Sequence, residues 1–243
     1  MDGPNVSTVT PKVTTIGPMK VSPPRPADGA MVITIGWQTF PGLLFVFSGR
    51  GGAALRLMEE KILAEGTVLP GGILKVGSFL NQQIDTALLR CVGEEIARLF
   101  EGEGVTKILT IESSGIAIAA AAGMAMGVPV VFAKKHKTSN VDGEVYSTVV
   151  HSFTHGMDYN VVVSRDYLRQ GERILLADDF LAGGNALKGL LALCGQAGAS
   201  VAGAAIAIEK GFQKGGDALR AHGLRVESLA IVESMDDSGI VFR

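Results

Sequence analysis

The stretch from residue 173 to residue 208 restricts the fold more than any other part of the chain. It runs Arg173-Ile174-Leu175-Leu176-Ala177, then Asp178-Asp179, then Phe180 through a Gly183-Gly184 pair to Asn185. An apolar segment follows (Leu187, Leu190, Leu191, Cys194) and stops at Gly198. A second apolar run, 200–208, comes at once. An apolar run, a small-residue turn, a helix-period stripe closed by glycine and another apolar run read as strand, loop, helix and strand. Such a unit predicts right-handed crossovers in a parallel sheet, whose ligands collect at the carboxyl ends of the strands.

The alternation extends upstream. A short helix is expected over 58–65, a loop through Pro70, Gly71 and Gly72, and a helix over about 84–100 with Leu88, Val92, Ile96 and Leu99 on its buried stripe. Residues 107–111 suit a buried strand, Ser113-Ser114-Gly115 a tight turn, 116–126 an Ala-rich helix closed by Gly127, and 128–132 the next strand. Alternation within 144–165 (Val145, Ser147, Val149; Val161, Val163) suggests an inserted antiparallel hairpin. The expected fold is α/β: a central parallel sheet flanked by helices, with no internal repeat and no second domain. Three strand ends then carry candidate site segments, 112–115, 134–137 and 178–185, and residues 209–212 leave a fourth.

Residues 1–57 have a different character. They hold seven of the nine prolines, with two acids and five bases, a net charge of +3 that leaves −5 for the remainder. Residues 1–30 carry no sustained period and little apolar surface to offset the entropy of ordering. We expect 1–57 to be disordered, or a non-native extension preceding a start at Met58, and 58–243 to be the folded domain. The apolar stretch 31–47 is broken by Gln38, Pro41 and Gly42 and falls short of the ~20 residues of a membrane span. Its position also differs from that of a signal peptide, so neither membrane insertion nor export is expected. A formal charge of −2 argues against a phosphate-backbone binder, so no nucleic-acid partner is expected. The two cysteines, Cys91 and Cys194, make no disulfide framework and are expected as buried free thiols in a reducing cytoplasm.

The chemistry concentrates around residue 180. Small residues at a helix start (Ala182, Gly183, Gly184, Asn185, Ala186) let backbone N–H groups and the helix dipole reach a phosphate. Two adjoining carboxylates repel a bare anion but accept hydrogen bonds from sugar hydroxyls. Phosphate plus ribose is the implied ligand.

The segment ILLADDFLAGGNA (174–186) resembles the phosphoribosyl diphosphate signature of type I phosphoribosyltransferases. The stretches LKVGSFLNQQID (74–85), TIESSGIA (110–117), PVVFAKKHK (129–137) and EKGFQ (209–213) narrow the resemblance to the bacterial xanthine phosphoribosyltransferases, over essentially all of 58–243. The resemblance implies a type I fold with a small hood near 67–82. It also implies transfer of a 5-phosphoribosyl group from 5-phosphoribosyl 1-diphosphate to N9 of xanthine, a purine-salvage reaction giving XMP and diphosphate. Asp178 and Asp179 become the catalytic pair, binding ribose hydroxyls and stabilising an oxocarbenium-like transition state. Ala182, Gly183, Gly184, Asn185 and Ala186 hold the 5-phosphate. Ser113, Ser114 and Gly115 receive the diphosphate, with Lys134, Lys135 and Lys137 as its counter-charges. Leu74, Asn81 and Lys210 contact the purine, Lys210 donating to a 6-oxo group, and Phe212 lies against the ring or in the core. Magnesium is expected through the diphosphate rather than in a protein cage, no side-chain metal site is expected, and the assembly implied is a homodimer.

Some positions depart from the family pattern. Gly183 stands where nearer members carry Asn, and Asn185 where Gln is common. Ala182 replaces an Asp found near N7 in some related transferases, so no general base can be named. His136, within Lys134-Lys135-His136-Lys137, reads as a solvated loop histidine, with assistance to the diphosphate as the alternative, and His151, His155 and His222 show no metal-ligand spacing. The alternatives are a guanine or hypoxanthine transferase, an adenine or orotate transferase, and a non-catalytic regulator that senses the same diphosphate. The last would need a DNA-binding module, for which the proline-rich 1–57 shows no helix-turn-helix periodicity.

Overall fold

The computed structural model of the protein describes residues 53–135, 143–152, 157–236 and 239–243. The expected N-terminal extension therefore lies, as far as residue 52, outside the described residues, as do His136, Lys137 and His155. The first helix, α1 (Ala53–Glu65), begins five residues before the expected start at 58. Met58 and Ile62 on it are fully buried.

After α1 come a short hairpin, β1 (Thr67–Leu69) and β2 (Ile73–Lys75), and a π-helical turn over Gly77–Asn81. Together they form the hood expected near 67–82. Helix α2 (Thr86–Leu99) starts where Asp85 accepts hydrogen bonds from the N–H groups of Ala87 and Leu88. Leu88, Val92 and Ile96 are buried as the stripe predicts, whereas Leu99 is only partly covered. Cys91 on the same helix is likewise half-buried rather than buried, while Cys194 is buried as expected.

The main sheet has six strands in the order β10-β9-β8-β7-β3-β4: β3 (Lys107–Ile111), β4 (Val130–Ala133), β7 (Arg173–Leu181), β8 (Ser200–Lys210), β9 (Val226–Asp236) and β10 (Gly239–Phe242). Five strands are parallel and β10 is antiparallel to β9, so the sheet is mixed where a purely parallel one was expected. Helix α3 (Gly115–Met126) joins β3 to β4, α4 (Asn185–Ala197) joins β7 to β8, and α5 (Gly215–Ala221) joins β8 to β9. Both α3 and α4 end on left-handed glycines, Gly127 and Gly198. The inserted hairpin, β5 (Val145–Ser152) and β6 (Met157–Ser164), pairs in continuous antiparallel register and hooks onto the sheet edge where Lys134 and Val162 exchange backbone hydrogen bonds of 2.9 and 2.8 Å.

Both faces of the sheet are buried, as side-chain alternation along a covered strand requires. On β7, Leu175 and Ala177 enter the core shared with α1, α2, α3 and the hood, while Ile174 and Leu176 enter the core shared with α4 and the β5–β6 hairpin. The chain places β4 on one side of β3 and then returns to place β7 on the other. That reversal opens a crevice between the carboxyl ends of β3 and β7, the position where open α/β sheets bind ligands.

Helices α2 and α3 approach closely at Gly93, where an added Cβ would lie 2.5 Å from the carbonyl oxygen of Ala121. Gly93→Ala is therefore expected to lower stability by about 2 kcal/mol, overpacking outweighing the better helix propensity. Urea unfolding checks this, and an unchanged midpoint would contradict the close contact.

Candidate functional site

Strand β7 runs four residues further than the apolar pattern predicts, so Asp178 and Asp179 belong to the strand itself. Successive strand residues leave the backbone on opposite sides. Asp178 turns inward and is 6% exposed, its Oδ1 accepting the Asp179 N–H at 2.9 Å, while Asp179 is half-buried. Burial, reinforced by the Asp179 charge, pushes the Asp178 carboxyl well above the usual carboxylate range, and Lys135 opposes the shift.

Across the crevice, Ser113 and Ser114 lead into α3, and the Glu112–Ser113 peptide is cis. Gly115 meets β7 closely. A Cβ there would lie 2.9 Å from Asp178 Oδ1 and would collide with the Thr110 hydroxyl, which is buried and has no hydrogen-bond partner. The Glu112 carboxylate accepts the Lys135 N–H at 2.6 Å, tying the ends of β3 and β4 together. Lys135 Nζ lies 5.4 Å from the Tyr159 ring centre, and burial followed by the Asp178 charge raises the Tyr159 phenol. The fold thus brings Ser113, Ser114, Gly115, Lys135, Asp178 and Asp179 to one end of the sheet. Lys134 joins them through its backbone bridge to Val162, and Lys137 lies outside the described residues.

The turn after β7 passes through Ala182 and Gly183 to Gly184, which adopts φ +83° as the N-cap of α4. No side chain caps this helix, so its first-turn N–H groups face outward without an intrahelical partner. They open onto a recess of about 150 Å³ that Asp178, residues 182–186, Val150, His151 and Tyr159 line. The Asn185 side chain turns away from the helix terminus, which leaves the phosphate reading to rest on backbone N–H groups alone. Its Nδ2 donates to the His151 carbonyl at 3.0 Å, fastening the hairpin to the loop, and only its backbone N–H remains at the helix terminus.

At the end of β8, Lys210 is half-buried, and that burial lowers its pKa. Its ammonium donates to the Gly72 carbonyl at 3.0 Å and lies 5.6 Å from the Phe180 ring centre. Phe212 packs beneath the same hood turn, 3.3 Å from where a Gly72 Cβ would sit, and against the core. Leu74 is buried in β2 and Asn81 is exposed at the end of the π turn. The hood therefore docks on the sheet through Lys210, leaving two ammonium donors for another acceptor. Motif reading missed the parts of Tyr159, His151 and Thr110. A hairpin strand and a buried threonine carry no spacing signal that could have found them. His151 pairs with Asp158 at 2.6 Å, and His222 Nδ1 lies 2.7 Å from the Ala218 carbonyl.

The sequence signature of the phosphoribosyl transferase domain family matches residues 81–232. The chain belongs to that family. Among curated relatives, the xanthine phosphoribosyltransferase of Bifidobacterium adolescentis is 54% identical over 183 residues, spanning 75% of this chain and 95% of the relative. That of Lachnoclostridium phytofermentans is 51% identical over 191 residues, 78% of this chain and 98% of the relative. Among solved structures, the adenine phosphoribosyltransferase of Giardia lamblia, complexed with 9-deazaadenine, superposes with a TM-score of 0.63 at 22% identity, covering 73% of this chain and 98% of that one. The Rhodothermus marinus adenine phosphoribosyltransferase gives 0.60 at 21%, covering 74% and 98%. At these identities the structural likeness establishes the type I fold.

The raised pKa of Asp178 has a consequence for stability. The unfolded chain releases this proton near the ordinary value of 3.8 and the folded chain only at higher pH. Between the two values the unfolded state binds fewer protons, so this group's contribution to stability falls as pH rises through the window and stays low above it. Asp178→Asn is expected to match or exceed the parent's stability at neutral pH, the difference shrinking below the carboxylate range. Urea midpoints at the two pH values check this, and a neutral-pH loss would contradict it.

Proposed function

We propose that this protein transfers the 5-phosphoribosyl group of 5-phosphoribosyl 1-diphosphate to N9 of xanthine, giving XMP and diphosphate in purine salvage. The observation that carries the reading is the convergence of a side-chain-free helix N-terminus, a buried carboxylate and a serine-glycine turn on one crevice. The relatives' names supply the base.

In this reading the N–H groups at the start of α4 hold the 5-phosphate over Gly183 and Gly184. Asp178 and Asp179 accept from the ribose hydroxyls and face the positive charge that grows at C1 as its bond to the diphosphate lengthens. Burial leaves the Asp178 charge poorly screened, which strengthens its attraction to a cationic centre. Ser113, Ser114 and Gly115 receive the departing diphosphate, with Lys134, Lys135 and Lys137 nearby in sequence to balance it. The C1–N9 bond forms as the C1–O bond breaks, and the N9 proton is lost through the purine's own ionisation, Ala182 offering no base. Lys210 donates to the 6-oxo group, while Leu74 and Asn81 border the base.

Magnesium suits the donor set as an ion carried by the substrate: Asp178 and Asp179 offer hard carboxylate oxygens beside the place proposed for the diphosphate donor. When bound, it neutralises charge on the diphosphate. We place the reaction in the cytoplasm and expect a homodimer. Among the described residues no helix is long and apolar enough to cross a membrane.

A base panel at fixed donor and magnesium, read by diphosphate release, is expected to give the highest kcat/KM with xanthine and lower values with guanine and hypoxanthine; a preference for adenine would overturn the reading. In the same assay Lys210→Ala is expected to lower kcat/KM for xanthine about tenfold to a hundredfold, the value of a charged hydrogen bond. Deleting residues 1–52, which stops short of α1, is expected to leave xanthine turnover unchanged by steady-state kinetics. A large loss would assign that segment a role.

A further inference from the structure

Glu209 sits one residue before Lys210, and its side chain is only 1% exposed. A buried carboxylate needs a partner, and Arg220 of α5 supplies a two-pronged one, Nη1 to Oε1 at 2.9 Å and Nη2 to Oε2 at 2.7 Å. Ser228 Oγ donates to the same carboxylate at 2.5 Å, and Arg220 Nε donates to the Val226 carbonyl at 3.1 Å. The guanidinium thereby fastens α5 to β8 and β9 at once. A seven-residue helix is too short to hold itself together, so its position comes from such contacts. Other ion pairs around α5, Asp217 with Arg243 and with Arg220, and the preceding Lys214 with Asp217 and Glu233, involve side chains 30% or more exposed and are worth little.

A neighbouring face of α5, one residue round the helix, touches the loop after β7. A Cβ on Gly215 would collide with the Ala182 carbonyl and lie 2.6 Å from Gly183 C and 2.8 Å from Gly184 N. Leu219 reaches to 3.2 Å from where a Gly184 Cβ would stand. A Cβ on Gly216 would collide with the Glu209 carboxylate. Helix α5 is thus a backstop pressed between the buried ion pair and residues 182–184.

We propose that Arg220 is a positioning residue: by locking α5 onto Glu209 it holds the 182–184 loop in the shape that receives the donor's 5-phosphate, and so sets affinity for the phosphoribosyl group rather than for the base. This rests on the assignment of that loop in the proposed function. The full chain is compared with Arg220→Gln, Arg220→Lys, Ser228→Ala and, as a stability control, Arg225→Gln, whose ion pairs with Glu103 and Glu227 lie at the far end of the strands. Calorimetry with ribose 5-phosphate and steady-state kinetics in both substrates are the readouts. Arg220→Gln is expected to weaken ribose 5-phosphate binding and raise KM for the diphosphate donor by about tenfold, equivalent to ~1.4 kcal/mol, with KM for xanthine little changed. Arg220→Lys keeps the charge but loses the fork and should fall between. Ser228→Ala should shift the same two quantities by less, and it carries the test if the glutamine variant does not fold. Arg225→Gln should lower the unfolding midpoint and leave both KM values alone. Equal rises in both KM values, or a lowered midpoint with neither KM altered, would overturn the role of Arg220. Absence of ribose 5-phosphate binding by the unaltered protein would instead overturn the loop assignment and this inference with it.

Discussion

Glycines let the main chain press directly against its neighbours around the carboxyl end of β7, and the rest of the site is arranged on that close approach. Gly115 comes against Asp178 from the α3 side, and Gly215 against Ala182 and Gly184 from the α5 side. Neither contact leaves room for a Cβ, and together they bring two helix starts and a buried carboxylate into one small volume. Peptide N–H groups are fixed dipoles that need no rearrangement when an anion arrives, which makes a side-chain-free loop a good phosphate cradle.

Electrostatics then divides the labour among the strand ends. The Asp178 carboxylate is costly to bury, and its neighbours repay little of that cost in the absence of ligand. Lys135 is a cation acting on it among the described residues, while the Glu112 carboxylate accepts the Lys135 backbone N–H. Lys210 faces the complementary problem. Its ammonium is half-desolvated and satisfied by a single hood carbonyl, so an oxygen-bearing ligand arriving there meets donors without full hydration. Both groups are more favourable with a partner of opposite sign or an accepting oxygen than without one.

Much of this is legible in the residues. The 173–208 segment announces its strand, turn, helix and strand because each apolar run is bounded by glycine or acid, and the 144–165 alternation announces the hairpin. Strands β9 and β10 are not announced. In Val226–Asp236 the inward residues Leu229, Ala230 and Val232 are interleaved with Glu227, Ser228 and Glu233, and the partners of Ser228 and Glu233 (Glu209, Lys214 and Arg243) lie ten or more residues away. Strand β7 outruns its apolar signal because Asp178 pairs with Ile206, a partner supplied only once β8 is in place. The site residues follow the same rule. Glycines and paired acids advertise themselves locally, whereas Asn185 is diverted to His151 by the hairpin, a tertiary fact that no spacing in the loop encodes.

The sheet's two outer strands, β10 and β4, are four residues long, and β4 is further engaged by its bridge to β6. Short margins give a foreign strand few backbone groups to zip onto. A long, flat rim would invite edge-to-edge polymerisation, and the clipped borders of this sheet protect the molecule from that fate while leaving its interior strands long enough to carry the crevice.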